Sequence, residues 1–369
     1  MMPFAEQYMQ RALDLARQGV GRTRPNPAVG AVIVREGQVV GEGFHPAAGE
    51  PHAEIFALRQ AGELARGADL YVTLEPCSHQ GRTGPCAEAV VAAGIGRLFI
   101  GTLDPNPKVC GRGRARIEAA GIPVVVGLLE EECRRLIAPF AKHVVTGLPY
   151  LILKSAITLD GFTATATGDS QWITNPSSRL QVHHLRDQVD GILVGIGTVL
   201  ADNPQLTTRL PEGGRNPLRI VVDSTLKIPE DAALLNGSSA PPLIVTTARA
   251  PQKRIDALSA LGVEILTIPE GEGGVDLAAM MAELGRRGLQ SILLEGGAHL
   301  NGAALRAGLV DRVMVFIAPK LLGGGDGRGI FAGPGARLLD GAVELDHLRV
   351  SRFGDDILVE GEVRKCLQG

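Results

Sequence analysis

The sequence predicts an α/β protein built from two three-layer αβα domains. Three observations carry this expectation. The chain has 369 residues, more than one hydrophobic core usually supports. Short apolar runs alternate with helix-patterned segments along nearly its whole length, which implies sheets covered on both faces. That alternation restarts near residues 144–149, giving expected domains of 1–146 and 147–369.

Taken in order, Phe4, Met9, Ala12, Leu13 and Ala16 stand against Glu6, Arg11, Asp14 and Arg17, an amphipathic helix and not a signal-peptide core. "AVGAVIV" and "QVVGEGF" read as strands around the turn "REG". After His52 a helix is expected, with Ile55, Leu58, Ala61 and Leu64 facing a core. "ADLYVTL" is a strand, "CAEAVVAAG" a helix ending at Gly94, "RLFIG" a strand, "RARIEAAG" a helix ending at Gly121, and "IPVVVGL" a strand. Charge concentrates in "EEECRRL", before "APFAKHVVTGLPY". Then "YLILKSAITLDG", "DGILVG", "LRIVVD", "PLIVTT", "VEILTI", "SILLEGG" and "DRVMVFIAP" read as strands with helices between most of them. "LRVSRFGDDILVEGEV" reads as a closing hairpin turning at Gly354 to Asp356, so a mainly parallel sheet with an antiparallel edge is expected.

Composition argues against several function classes. A net charge of -3 and 4% aromatic residues supply neither a basic field nor stacking platforms for nucleic acid. Five cysteines, an odd number, make a poor disulfide framework. No apolar run approaches the ~18 residues of a membrane span. The expected compartment is the cytoplasm, and the apolar surface of the second half suggests a homo-oligomer.

Chemistry concentrates first in "GEPHAEIFAL" and "TLEPCSHQGRTGPCAEAV". His52 and Glu54 lie two apart, so they do not share a side of a helix. A metal placed off the helix N-terminus can be reached end-on, with His52 binding and Glu54 addressing water beside it. Cys77 and Cys86, each preceded by proline, complete one imidazole and two thiolates, a suitable set for a catalytic zinc with an open fourth position. Such a zinc lowers the pKa of its water to about 7, and a neighbouring carboxylate can move that proton to a leaving amine. His-x-Glu followed by Pro-Cys and a second Cys is the signature of the zinc nucleobase deaminases, with a shorter spacing between the cysteines. The insert here carries His79, a rival ligand, and Arg82. Singly, each residue has a plainer role: a solvated helix-start histidine, or a small buried cysteine. Cys110 and Cys133 have no partner pattern.

"RPNPAVGAVIV", "GEPHAEIFAL", "TLEPCSHQGRTGPC" and "DPNPKVCGRG" together resemble the deaminase half of the bifunctional riboflavin-biosynthesis deaminase-reductases, whose long cysteine insert matches this one. Gly84 stands where that family more often has proline. The resemblance implies a cytidine-deaminase-like domain with zinc on His52, Cys77 and Cys86 and Glu54 as the proton shuttle. Asn26 resembles a position lining the pyrimidine pocket. The implied substrate is a diaminopyrimidinone carrying a ribosylamino phosphate, which loses ammonia to give the uracil. His79 and Arg82 are candidates for holding its phosphate.

The second half lacks a Gly-x-Gly-x-x-Gly between strand and helix. "GILVGIGTVL" and "ILLEGGAHLNGAAL" do run from strand through glycines into a helix, where backbone N–H groups can meet a phosphate. With "KSAITLDGFTATATGDSQWIT" and "LRDQVDGILVGIGTVLADNPQLTTR", they resemble the reductase half of the same family, similar in fold to dihydrofolate reductase. The resemblance implies NADPH reduction of the ribosyl group to a ribityl chain. Cofactor contacts carried over are Ala156, Trp172, Thr198, Asp202, Ser224, Gly297, Ala298 and His299. Substrate contacts are Ser170, Arg186, Leu206, Arg209 and Glu295. A phosphate favours an arginine fork. Lys154 is a candidate for electrostatic help and Arg249 for reading the 2′-phosphate. Plainer roles are core packing for Trp172 and capping for Asp202. Two rival readings stay open: a nucleic-acid deaminase with an unrelated second domain, and a scaffold in which zinc serves folding alone.

Overall fold

The computed structural model describes residues 3–78, 84–107, 109–236 and 240–364. The chain divides into two compact units, Met1–Gly147 and Leu148–Gly369.

In the first unit the order is α1 (Pro3–Arg17), β1 (Gly30–Arg35), β2 (Gln38–Phe44), α2 (Ala53–Ala61), β3 (Asp69–Leu74), α3 (Cys86–Ala92), β4 (Arg97–Thr102), α4 (Arg112–Ala119), β5 (Val124–Val126), α5 (Glu130–Leu136) and α6 (Ala138–Thr146). The sheet order is β2-β1-β3-β4-β5, with β1 antiparallel to β2 and β3 and the remaining pairs parallel. Period-two alternation builds the three layers. Ala31, Ile33, Leu70, Val72, Leu98 and Ile100 face one core with Ala57, Val90 and Ile117. Val32, Val34, Tyr71 and Phe99 face another with Met9, Leu13 and Cys133, where the Tyr71 and Phe99 rings stack at 4.5 Å.

The expected core face of α2 holds at Ala61, which is buried, and at Leu58, which packs against the core, and is corrected at Leu64. Its buried residues are Ala53, Glu54, Ala57 and Ala61, while Leu64, beyond its end, is half exposed. The cause lies in β2. A Cβ on Gly41 would sit 2.2 Å from the Ala57 carbonyl oxygen, and one on Gly43 2.4 Å from that of Ala53. Helix and strand therefore meet almost backbone to backbone, with only the Cβ atoms of Ala61 and Phe56 reaching into the contact. The two helices α5 and α6 occupy segments in which the sequence signalled only charge and a boundary.

The second unit runs β6 (Tyr150–Thr158), α7 (Pro176–Gln188), β7 (Gly191–Gly195), α8 (Ile196–Asp202), β8 (Leu218–Val222), β9 (Leu243–Thr246), α9 (Gln252–Ala260), β10 (Glu264–Thr267), β11 (Glu270–Gly271), β12 (Gly274–Val275), α10 (Leu277–Arg286), β13 (Ser291–Leu294), α11 (Ala298–Arg306), β14 (Val310–Ala318), β15 (Leu345–Phe353) and β16 (Asp356–Val363). The large sheet is ordered β10-β9-β8-β7-β13-β6-β14-β16-β15, parallel from β10 through β14 and antiparallel at the β16-β15 edge. The small hairpin β11-β12 has no counterpart among the sequence expectations. Leu193, Ile220, Val245, Leu294 and Met280 form the core on one face, and Val194, Val221, Ile244 and Leu258 that on the other.

Candidate active sites

The first site forms where α2, α3 and the end of β3 meet. His52 is the N-cap of α2 in extended conformation, with no side-chain capping bond, so its imidazole is free to face away from the helix. Its Nδ1 lies 3.6 Å from Cys77 Sγ and 3.3 Å from Cys86 Sγ, and the three donor atoms all fall within 4.8 Å of one another. Cys86 opens α3, and its N–H donates to Cys77 Sγ at 3.3 Å. One imidazole nitrogen and two sulfurs converging this closely fit zinc. His79 and Arg82 lie outside the described residues.

Electrostatics without a metal single out one thiolate. The Cys77 thiol is lowered to about 4 by its hydrogen bond with Cys86, which outweighs burial, with help from His52 and the Cys86 amide. Cys86 is pushed up by the same bond and by burial. Glu54 is 3% exposed, and burial raises its carboxyl to about 7, the range in which a group can both take and give a proton near neutrality. Buried His45 completes the wall: its Nδ1 donates to the Pro51 carbonyl at 3.0 Å, so Nε2 accepts from Asn26 Nδ2 at 3.1 Å. This fixes the amide orientation of Asn26. The His45 ring stands edge-on to His52, with centroids 5.2 Å apart.

The second site is a cleft of about 1850 Å³ at the carboxyl ends of β6, β7, β8 and β13, the edge where open α/β sheets bind ligands. Because β7 and β13 are parallel neighbours, the two glycine turns flagged in the sequence come side by side. Gly195 caps α8 and Gly297 caps α11, and a Cβ on Gly297 would stand 3.5 Å from Thr198 Oγ1. Ala156, Trp172, Thr198, Asp202, Ser224, Gly297, Ala298 and His299 all line the cleft. So do Ser170, Arg186, Arg209 and Glu295. Trp172 is 61% exposed with the Arg179 guanidinium 4.7 Å above its ring, which rules out core packing. Asp202 ends α8 and so caps no helix N-terminus.

The structure adds a condition to two expectations. The Leu206 side chain is buried with Ile192, Val194 and Val221 and serves the core, which leaves its main chain for contact with a substrate. The Arg186 fork does not await a phosphate. Nε and Nη2 donate to the two Glu295 oxygens at 2.8 and 3.1 Å, and Nη1 donates to the Thr207 carbonyl at 3.1 Å. Burial opposes the charge on Glu295, but Arg186 and Lys154, whose Nζ is 3.7 Å away, outweigh it and hold the carboxyl at about 2. Arg209 makes no ion pair among the described residues. Its main-chain N–H donates to His183 Nδ1 at 3.2 Å, and His183 is pushed down to about 4 by burial and by Arg186 and Arg209. Arg179 and His183 are cleft residues that sequence reasoning missed, although their spacing with Arg186, at i, i+4 and i+7 on α7, signals one helix face. Lys227 was missed too, without any pattern to find it; Arg249 lines the cleft while paired with Glu270 at 3.0 Å.

Comparison with known proteins adds the family context. Residues 149–359 match the family model described as the RibD C-terminal domain, and residues 2–102 the cytidine and deoxycytidylate deaminase zinc-binding region. The riboflavin biosynthesis protein RibD of Escherichia coli (strain K12) is 45% identical over 364 residues, covering 95% of this chain and 97% of its own. That of Bacillus amyloliquefaciens is 44% identical over 352 residues, covering 95% and 94%. Among solved structures, Acinetobacter baumannii RibD, form 1, superposes with a TM-score of 0.83 at 38% identity, covering 99% of this chain and 100% of that one. A diaminohydroxyphosphoribosylaminopyrimidine deaminase/5-amino-6-(5-phosphoribosylamino)uracil reductase from Thermotoga maritima does so with a TM-score of 0.83 at 36% identity, covering 98% and 99%.

Proposed function

The chain belongs to the RibD family of riboflavin-biosynthesis proteins, and from that premise we propose how its own residues divide the work. It is a bifunctional enzyme, with an N-terminal cytidine-deaminase-like domain and a C-terminal RibD reductase domain. We place the functional boundary at 146/147. The deaminase substrate is 2,5-diamino-6-ribosylamino-4(3H)-pyrimidinone 5′-phosphate, hydrolysed to 5-amino-6-(5-phosphoribosylamino)uracil; the reductase turns that product into the ribityl compound.

The observation that carries the deaminase assignment is the convergence of His52, Cys77 and Cys86 beside buried Glu54. These three residues would hold zinc, which when bound would supply Lewis acidity and lower the pKa of water at the site. Glu54, with its carboxyl at about 7, takes the proton of the incoming water and delivers it to the exocyclic amine, which leaves as ammonia. Asn26, oriented by His45, holds the pyrimidine edge. In the reductase cleft NADPH supplies hydride. The adjacent starts of α8 and α11 would receive its phosphates, Trp172 would offer an exposed face for a ring, and Arg249 and Lys227 would take the 2′-phosphate. Arg209 binds the substrate phosphate. Arg186 holds Glu295, and this pair with Lys154 sets the field at the reacting sugar.

Among the described residues no helix is long and apolar enough to cross a membrane. The cytoplasm is the compartment we favour, since the zinc thiols need reducing surroundings. A homo-oligomer is supported by the edge strand β15, where Leu348 and Val350 are 61% and 68% exposed, and by Leu338 and Leu339 at 75% and 92%. Supplying the pyrimidine nucleotide, zinc and NADPH and identifying the products by mass tests both activities and their order. Ammonia released from tRNA and none from the nucleotide would establish the nucleic-acid rival instead.

A further inference from the structure

We infer that Glu75 is a positioning residue of the metal centre: its buried carboxylate, clamped on three main-chain N–H groups, fixes the Pro76–Cys77 peptide that delivers one ligand. The inference rests on the zinc reading of His52, Cys77 and Cys86.

Glu75 follows the last residue of β3 and is 5% exposed. A buried carboxylate two residues from a ligand invites a role as a further ligand or proton carrier. Its oxygens are committed elsewhere. Oε1 accepts from the Arg114 N–H at 2.9 Å, and Oε2 from the Gly111 N–H at 2.9 Å and the Asp104 N–H at 3.2 Å. Gly111 is the N-cap of α4, and being glycine it has no side chain with which to cap. Glu75 therefore supplies, from a different element, the capping acceptor and the negative charge that this helix start favours. Asp104 heads the loop leading to α4, so one carboxylate joins the strand end, the loop and the helix.

Contact on the other side of the peptide makes this matter for the metal. Gly113, in the first turn of α4, packs directly on the residue between Glu75 and Cys77. A Cβ there would fall 1.9 Å from the Pro76 carbonyl oxygen and 3.3 Å from Glu75 Cγ. Pro76 is thus held against α4 while Glu75 holds α4 in turn. Toward α3, the Cys77 carbonyl accepts from the Ala87 N–H at 3.1 Å and Cys77 Sγ from the Cys86 N–H at 3.3 Å. The 76–77 peptide, which sets where the Cys77 sulfur goes, rests on α4 through its carbonyl oxygen, and Cys77 itself is tied to α3 through its own carbonyl and sulfur. A shift of α4 is a shift of a ligand.

The test uses the full-length chain and a change of nearly constant size. Glu75→Gln keeps one oxygen but turns an NH2 group toward N–H donors, so part of the clamp becomes a donor–donor clash. Loss of partners behind metal ligands typically weakens metal affinity about 10–100-fold. That range is expected for zinc in competition with a chromophoric chelator, together with weakened thiolate-to-metal absorption when cobalt(II) replaces zinc. Thermal unfolding of the metal-free proteins separates positioning from capping. A lowered midpoint with zinc affinity within twofold of the parent overturns the proposal and leaves Glu75 as a helix cap. If Glu75→Gln does not fold, Glu75→Asp carries the test: it keeps both oxygens but withdraws them by one methylene. An intermediate loss of affinity supports positioning, and parental affinity overturns it. A parent chain that binds no zinc defeats the metal reading itself.

Discussion

Gly43→Ala perturbs the deaminase without touching any residue of its chemistry. The new methyl group would fall 2.4 Å from the Ala53 carbonyl oxygen and 2.5 Å from Phe56 Cβ, where ordinary contact begins at 3.4 Å. Both neighbours belong to α2, so relief requires the start of that helix to retreat from β2 by about 1 Å, close to the spacing of a real contact. His52 and Glu54 flank Ala53 and must move with it. Overpacking of this kind costs about 1–3 kcal/mol of stability, and a misplacement of about 1 Å at reacting groups can cost about a hundredfold in rate. The assay is ammonia release from the pyrimidine nucleotide, with NADPH oxidation on the already deaminated intermediate as the internal reference. Deaminase kcat is expected to fall about a hundredfold while reductase turnover stays at the parental rate. A folded Gly43→Ala protein with deaminase kcat within twofold of the parent would refute the claim that backbone contact between β2 and α2 sets the site.

Other changes probe the remaining assignments. Glu54→Gln should retain zinc yet lose about 10²–10⁴-fold in deaminase kcat; full activity would remove Glu54 from the proton path. Chelating the metal should abolish ammonia release while leaving NADPH oxidation intact, measured on the same sample. Arg186→Leu leaves Glu295 buried without its fork, and since Lys154 remains close, a loss near the low end of the usual range, about 3 kcal/mol, is expected in denaturant unfolding. Because the Glu295 carboxyl is held at about 2, below its unfolded value, its contribution is complete above about pH 4.5 and fades as pH falls toward 2. The acid unfolding limb of Arg186→Leu should therefore be shallower than the parent's across that window. Arg249→Ala should raise KM for NADPH more than for NADH, and an equal change for both would dismiss its contact with the 2′-phosphate.

Much of this molecule was legible in the chain itself. Continuous apolar runs such as "AVGAVIV" and "SILLEGG" mark strands buried on both faces, a local property, and they placed their strands within a few residues. His52, Glu54, Cys77 and Cys86 were legible because zinc demands particular atoms, and proline before each cysteine marks an element end. What depends on two distant segments touching was not legible. The helical spacing of Ile55, Leu58, Ala61 and Leu64 suggested one buried face. Ala61 and Leu58 do meet the core, but Leu64 is half exposed and the glycines of β2 bring Ala53 and Ala57 against the strand instead, since the strand decides which side of α2 can approach. Leu206 matched a substrate position by sequence, yet its side chain packs into the core. Arg186 carried the charge a phosphate attracts, but Glu295, 109 residues away, already accepts its fork. Glu75 gave no sign at all, because its three donors come from a loop and a helix that only folding brings to the end of β3. The sequence by itself determined which atoms can do chemistry; the tertiary structure decided which remain free to do it, because a hydrogen bond or a close contact made between distant segments commits an atom before any ligand arrives.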